Sequence, residues 1–194
     1  MKILRLRNIN SKYFNLRQLA KALDLPLSSA KVLASRYVKA GVLIRLKRDL
    51  YVLAEQWPYF SLQDKFQLSN LIQSPSYVSL LTALAYYEIS TQIQQEFIEA
   101  IALKRTKQIN VKGTIFNYSK IKNELYFGFG RTQGFFMAEP EKALLDALYL
   151  MSLNRYTLDM EAIDFSKIDR DKLKSFLPKF PLTVQKMVRY YGLA

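Results

Sequence analysis

Residues 28–53 read SSAKVLASRYVKAGVLIRLKRDLYVL. As far as Ala40 the spacing is helical. Ala30, Leu33, Ala34, Tyr37 and Val38 recur at three and four positions and make one apolar face. Ser29, Lys31, Val32, Ser35, Arg36 and Lys39 fall on the other. Ser28 is a good N-cap, which predicts a helix over 29–40. Gly41 stands where a left-handed C-terminal cap belongs. The period then changes. Val42–Leu46 and Leu50–Leu53 are rich in strand formers, and a short charged turn separates them.

Upstream, Asn15 can cap a short helix, Leu16–Leu23, whose apolar positions Leu16, Leu19, Ala20 and Leu23 share a face. Pro26 disfavours helix at Leu25 and separates the two helices. Helix, helix, hairpin is the order of a winged helix. Downstream, Ala54–Pro58 reads as a linker. The expected division is therefore a winged helix-turn-helix domain over 1–55 and a second domain over 59–194. In the second, helices are predicted over 61–73 and from Tyr77 to about Tyr87. Strands are predicted over 97–102, 109–118, 124–130 and 134–137. Pro140, flanked by Glu139 and Glu141, starts a further helix with Leu144, Leu145, Leu148 and Met151 as its buried stripe. Two more helices follow, over 169–177 and 183–191. The predicted class is α+β: a winged helix, then a mixed α/β domain with an antiparallel sheet.

Charge is distributed unevenly. The whole chain carries +13, with 29 Lys/Arg against 16 Asp/Glu. Residues 1–53 hold twelve Lys/Arg and two acids, Asp24 and Asp49, leaving +10 in about a quarter of the length. Such a local excess is the footprint of a polyanion binder. There is no cysteine and no histidine. Disulfides, thiolate chemistry and Ser-His-Asp catalysis are thereby excluded, and a zinc site is disfavoured. No apolar run reaches the roughly 18 residues that span a bilayer. The start, MKILRLRNINSKYF, is basic without a signal-peptide apolar core. The expectation is a cytoplasmic protein with no membrane partner, no cofactor and no metal.

Several stretches together resemble a known family. They are the wing phrase GVLIRLKRDLYVL, then SPSYVSLLTALAYYEI, IEAIALKRTKQINVKGTIFNYSKI, ELYFGF and MAEPEKALLDALYLM. In this order they resemble the AbiEi antitoxins, over roughly residues 10–155. The family usually has glycine where this chain has Asp49. The resemblance implies a transcriptional repressor that is the antitoxin of a type IV toxin–antitoxin pair. It implies binding to inverted repeats in double-stranded promoter DNA. It also implies a nucleotidyltransferase-like toxin as partner, neutralised through the C-terminal domain without a stable complex. With it goes the expectation of a monomer in solution that binds DNA cooperatively.

The candidate recognition residues are Ser28, Ser29, Lys31, Val32, Ser35, Arg36 and Lys39. Arg36 suits a bidentate contact to guanine. Ser28 is read first as a cap, and Lys31 and Arg36 first as DNA contacts. The wing candidates are Arg45, Lys47 and Arg48. Alternation puts Arg45 and Lys47 on one face, which Leu43 shares, with Leu46 opposite. Asp49 would repel phosphate unless it caps the turn or holds Arg48. A second basic group is Lys104, Arg105, Lys107, Lys112, Lys120 and Lys122. It is open between an extended DNA footprint, RNA, an acidic surface on the toxin, and a solvated sheet edge that blocks aggregation. Glu139, Glu141 and Asp146 are read as structural: Glu139 and Glu141 suit the first turn of a helix, Glu141 and Asp146 are five apart, a poor spacing for one helical face, and there is no histidine and no phosphate-binding glycine loop beside them. No residue is assigned to catalysis. The alternative function is an interaction module that docks a protein or RNA through its C-terminal domain.

Overall fold

The computed structural model describes residues 2–92 and 94–193. The chain forms two compact units, Met1–Leu62 and Gln63–Ala194.

The first unit holds α1 (Lys2–Leu6), α2 (Leu16–Leu23), α3 (Leu27–Lys39), β1 (Leu43–Lys47) and β2 (Leu50–Leu53). This is a winged helix, and α1 supplies a third helix that its five-residue length hid in the sequence. Asn15 and Gln18 form a capping box at the start of α2, an arrangement whose N-cap is worth about 1 kcal/mol. At the end of α3, Gly41 has φ +72°. Its N–H donates to Val38 O at 3.1 Å, and that of Val42 to Tyr37 O at 2.9 Å. Those two bonds are the Schellman motif expected of glycine there. Asp24 closes α2 in the same way, at φ 52°.

The other end of α3 departs from expectation. The helix begins at Leu27 with Pro26 in the capping position and no side-chain cap. Ser28 is therefore in the first turn and caps nothing. Proline's fixed φ and its free carbonyl, which accepts from Ala30 N–H at 2.9 Å, start the helix instead.

β1 and β2 pair antiparallel, and Phe14 bridges Tyr51 on the hairpin's other edge through two bonds of 2.9 Å. Leu6, Phe14, Leu19, Leu23, Ala34, Leu43, Tyr51 and Leu53 form the buried core. The segment expected as a linker, Ala54–Pro58, lies in a 3-10 helix, Ala54–Tyr59, with Trp57 buried. Arg7 holds it with a two-pronged pair to Glu55, at 3.0 and 2.9 Å.

The second unit is built on six strands: β3 (Ser76–Val78), β4 (Phe97–Ala102), β5 (Lys107–Val111), β6 (Thr114–Lys120), β7 (Phe129–Thr132) and β8 (Phe135–Ala138). Their order is β5-β6-β4-β3-β8-β7. The α+β class is as expected, but this sheet is mixed rather than antiparallel. The tight hairpins β5–β6 and β7–β8 are antiparallel, as is β3–β4, while β4–β6 and β3–β8 are parallel. A strand that returns after an intervening hairpin, as β6 does beside β4, arrives parallel.

Three expected elements are redrawn. Tyr77 and Val78, expected as the start of a helix, belong to strand β3, because Tyr77 pairs with Ile101, and Val78 with Ala100 on one side and Met137 on the other. The strand expected over 109–118 folds back at Lys112 and Gly113, both at positive φ, the geometry of a type I′ hairpin turn. The strand expected from 124 begins only at Phe129, after a 3-10 turn over Asn123–Leu125.

The remaining helices are α4 (Leu62–Ile72), α5 (Leu80–Tyr86), α6 (Pro140–Ser152), α7 (Arg170–Phe176) and α8 (Leu182–Tyr190). α6 starts at Pro140 as expected, but it is buried on every face from Glu141 to Leu150, not along one stripe. Its interior holds a charged pair. Lys142 and Asp146 lie four residues apart, both wholly buried and in contact. Asp146 Oδ2 also accepts from Tyr77 at 3.0 Å and Ser79 at 2.8 Å. The Lys142 ammonium lies 5.3 Å from the Tyr77 and Phe127 ring centres and 5.5 Å from that of Phe180. Burial pushes the Asp146 carboxyl up and the Lys142 ammonium down from their ordinary values, against their mutual attraction.

Candidate nucleic-acid interface

Helix α3 turns Ser28, Ser29, Lys31, Val32, Ser35, Arg36 and Lys39 outward, and all seven are exposed. The inner face, with Ala30 and Ala34 fully buried, fixes that orientation. The outward residues divide into two rows. Lys31, Ser35 and Lys39, spaced by four, border a groove of about 920 Å³ between α3, the start of α2 and the hairpin. Arg45 and Arg48 close the groove from the hairpin side, and Arg17 from α2. Ser29, Val32 and Arg36 line a separate hollow on the far side of the helix.

No ion pair among the described residues engages Arg17, Lys31, Arg36, Lys39, Arg45 or Arg48. Arg45 Nε donates to Lys47 O at 3.3 Å, which folds its stem along the strand. The hairpin bulges between Arg45 and Lys47. Arg45, Lys47 and Arg48 are exposed there and Leu46 is buried, while Leu43 belongs to the core.

Asp49 resolves differently from either sequence reading. It sits at φ 60° in the turn. Its carboxylate accepts from the backbone N–H of Leu16 at 2.7 Å. It neither caps its own turn nor holds Arg48. It serves an N–H at the start of α2 that would otherwise lack a partner, and its charge lies at the positive end of that helix. The wing tip is thus left to its cations. Arg17 and this role of Asp49 were not legible in the sequence, because the groove is assembled from three separated segments.

The second basic group lies in the other unit, and all six of its residues are exposed. Lys107 pairs opposite Tyr118, and Lys120 N–H donates to Thr106 Oγ at 3.1 Å. This brings Lys104, Arg105, Lys107, Lys120 and Lys122 to one end of the β5–β6 hairpin. Lys112 is in the turn at the opposite end, about 15 Å along the strand, and does not join them. Lys122 pairs with Glu124 at 3.5 Å on the surface.

The three carboxylates read as structural are each engaged. Glu139 meets Lys172 at 3.3 Å. Glu141 accepts from Asp169 N–H at 3.1 Å, and Asp146 is held by Lys142. A fourth, Glu99, is buried in β4. Burial pushes its carboxyl up to about 7, although Tyr156 O–H and the N–H groups of Leu81 and Thr82 hydrogen-bond to it. It thereby caps α5, whose own Ser79 donates instead to Asp146.

Comparison with known proteins gives a likeness of fold. No family model matches the sequence, and no curated protein matches it. Among solved structures the chain is similar to the crystal structure of the Rv2827c protein from Mycobacterium tuberculosis. The TM-score is 0.61, over 97% of this chain and 73% of that one, at 9% sequence identity. Among the described residues no helix is long and apolar enough to cross a membrane.

Proposed function

We propose that the chain is a DNA-binding transcriptional repressor acting in the cytoplasm as the antitoxin of a type IV toxin–antitoxin pair. One observation carries the DNA reading. Six exposed cations lack ion-pair partners, five bordering the groove between α3 and the hairpin and Arg36 on the far side of the helix, and the acid that lines the groove, Asp49, accepts from the start of α2. The antitoxin role rests on the resemblance of the quoted motifs to the AbiEi family.

The geometry supports a mechanism. α3 enters the major groove of a promoter half-site with its outward arc. Arg36 makes the bidentate contact to guanine, and exposed Val32 meets a thymine methyl group. The first turn of α3 has no side-chain cap. Its N–H groups and the hydroxyls of Ser28 and Ser29 are therefore available to a backbone phosphate. Arg17, Lys31, Arg45 and Arg48 neutralise phosphates along the groove and release counterions. This division assigns sequence choice to the helix and affinity to the wing. The protein binds as a monomer, cooperatively, on inverted repeats of its own promoter, and the second unit neutralises the toxin without a stable complex.

A second reading has its own support. The five clustered cations on the second unit suit an interaction module that docks a protein or RNA. A gel shift with DNA from upstream of the protein's own gene tests the first. Retardation of that duplex at concentrations that leave a scrambled duplex free supports the repressor. Equal binding to both removes it.

A further inference from the structure

We propose that the second unit binds a nucleotide, with an amine-bearing base in the cleft beside Glu99 and its phosphates in the adjoining basic groove. The inference does not depend on the winged helix. The cleft, about 620 Å³, is lined by Gln94, Phe97, Glu99, Asn117, Arg155 and Tyr156. Phe97 and Glu99 are two apart on β4 and share a face, and Asn117 on β6 is the register partner of Glu99. A ring, a carboxyl and an amide therefore stand together on the sheet.

Beside the donors of Asn117, Asn154, Arg155 and Thr157, two acceptors in the cleft have room for a ligand donor. Gln94 Oε1 is buried and accepts no hydrogen bond, a state that a ligand N–H would relieve. Glu99 takes one bond from Tyr156 at 2.9 Å and backbone bonds from Leu81 and Thr82. When ionised, at or above about pH 7, the carboxylate has room for about four, so one position remains for a ligand N–H. Such a site selects a planar group rich in N–H donors, and the exocyclic amines of adenine, cytosine and guanine supply them. Uracil has no such amine. Phe97 offers its ring to the plane of the base.

Arg155 gives the arrangement its direction. It lines this cleft and also a second groove, of about 750 Å³, with Lys120, Lys122, Asn123 and Glu124, whose carboxylate pairs with Lys122 at 3.5 Å. Lys120 lies three residues beyond Asn117 on β6, about 10 Å along the strand, where alternation sets it on the other face at the strand's end. Arg155, which lines both spaces, is therefore the cation that meets the phosphates of a base beside Asn117, with Lys120 and Lys122 further along the second groove, where ammonium and guanidinium groups favour them. The same chemistry fits a free nucleoside triphosphate and the 5′-phosphorylated end of a single strand.

Calorimetric titration of the full chain with ATP, CTP, GTP, UTP, tripolyphosphate and a 5′-phosphorylated tetranucleotide tests this. We expect at least one amine-bearing ligand to bind about tenfold tighter than UTP and tripolyphosphate, the worth of a hydrogen bond to a buried acceptor. Gln94→Ala and Arg155→Ala, neither of them in the core, each weaken it by a similar factor, whereas Arg48→Ala on the wing leaves it unchanged. A tetranucleotide that outbinds its mononucleotide assigns a strand end, and the reverse assigns a free nucleotide. Three results overturn the proposal: tripolyphosphate binding as tightly as any nucleotide, no binding at millimolar ligand to folded protein, or an Arg155→Ala variant of unchanged affinity.

Discussion

The two units place charge in opposite ways. In the first, six cations on and around α3 face solvent without ion-pair partners. In the second, Lys142 and Asp146 are sealed inside α6, each held by the other and by Tyr77. An exposed cation costs the fold little and remains available to a polyanion. A buried pair contributes little net stability when intact, yet removal of one member strands the other in a medium that solvates it poorly. Mutation of the first kind should change binding, and mutation of the second kind should change folding.

The largest effect is expected where a buried charge is orphaned. Asp146→Ala should lower unfolding free energy by about 3–5 kcal/mol, read by denaturant titration. A loss comparable to that of an exposed lysine would erase the contrast between the units.

Glu99 sharpens the comparison through pH. Its folded carboxyl keeps its proton to about pH 7, whereas the unfolded chain releases it near the ordinary carboxylate value of about 4.3. Between those points the unfolded state binds fewer protons, so this group's contribution makes stability fall as pH rises. The full decline is on the order of 3 kcal/mol by pH 8. Glu99→Gln should flatten that part of the profile. An unchanged slope would mean the carboxyl ionises in the folded state as it does in the unfolded chain.

Asp49 tests the one acid on the basic surface. Asp49→Ala removes the bond to Leu16 N–H and places alanine at φ 60°, so stability should fall by about 1–2 kcal/mol. Non-specific DNA affinity should rise, because a negative charge leaves the wing. Asp49→Asn keeps an acceptor and tolerates the left-handed backbone, and should restore most of the stability. Weaker DNA binding by a folded Asp49→Asn protein would contradict this role.

What the sequence disclosed was what local chemistry decides. Asn15, Gly41 and Pro140 mark helix ends through their own backbones and side chains, and the period of α3 reveals its buried face. The hairpin was legible for the same reason. Elements that depend on distant partners were not. β3 is a strand because β4 and β8 flank it, although its residues run directly into a helix. The split at Gly113 is marked by the Lys-Gly pair, but that pair lies within a run of strand formers whose period does not change across it. In α6, Lys142 is the i−4 neighbour of Asp146, but the spacing alone does not say that the pair is buried; packing on every face of the helix decides that. At the candidate site, the outward residues of α3 followed from periodicity. The division between a wing-facing row and the Arg36 side did not, since the groove exists only once α2 and the hairpin are in place.

The most direct test of the central claim compares Arg36→Ala with Arg48→Ala, each titrated against promoter and scrambled duplexes over a range of salt. Arg48→Ala should weaken both duplexes alike and reduce the slope of log K against log salt by about 0.9, the worth of one phosphate contact. Arg36→Ala should instead collapse the preference for promoter DNA, by about 1–3 kcal/mol. Matching losses from both variants on both duplexes would contradict the assignment of sequence choice to α3 and affinity to the wing.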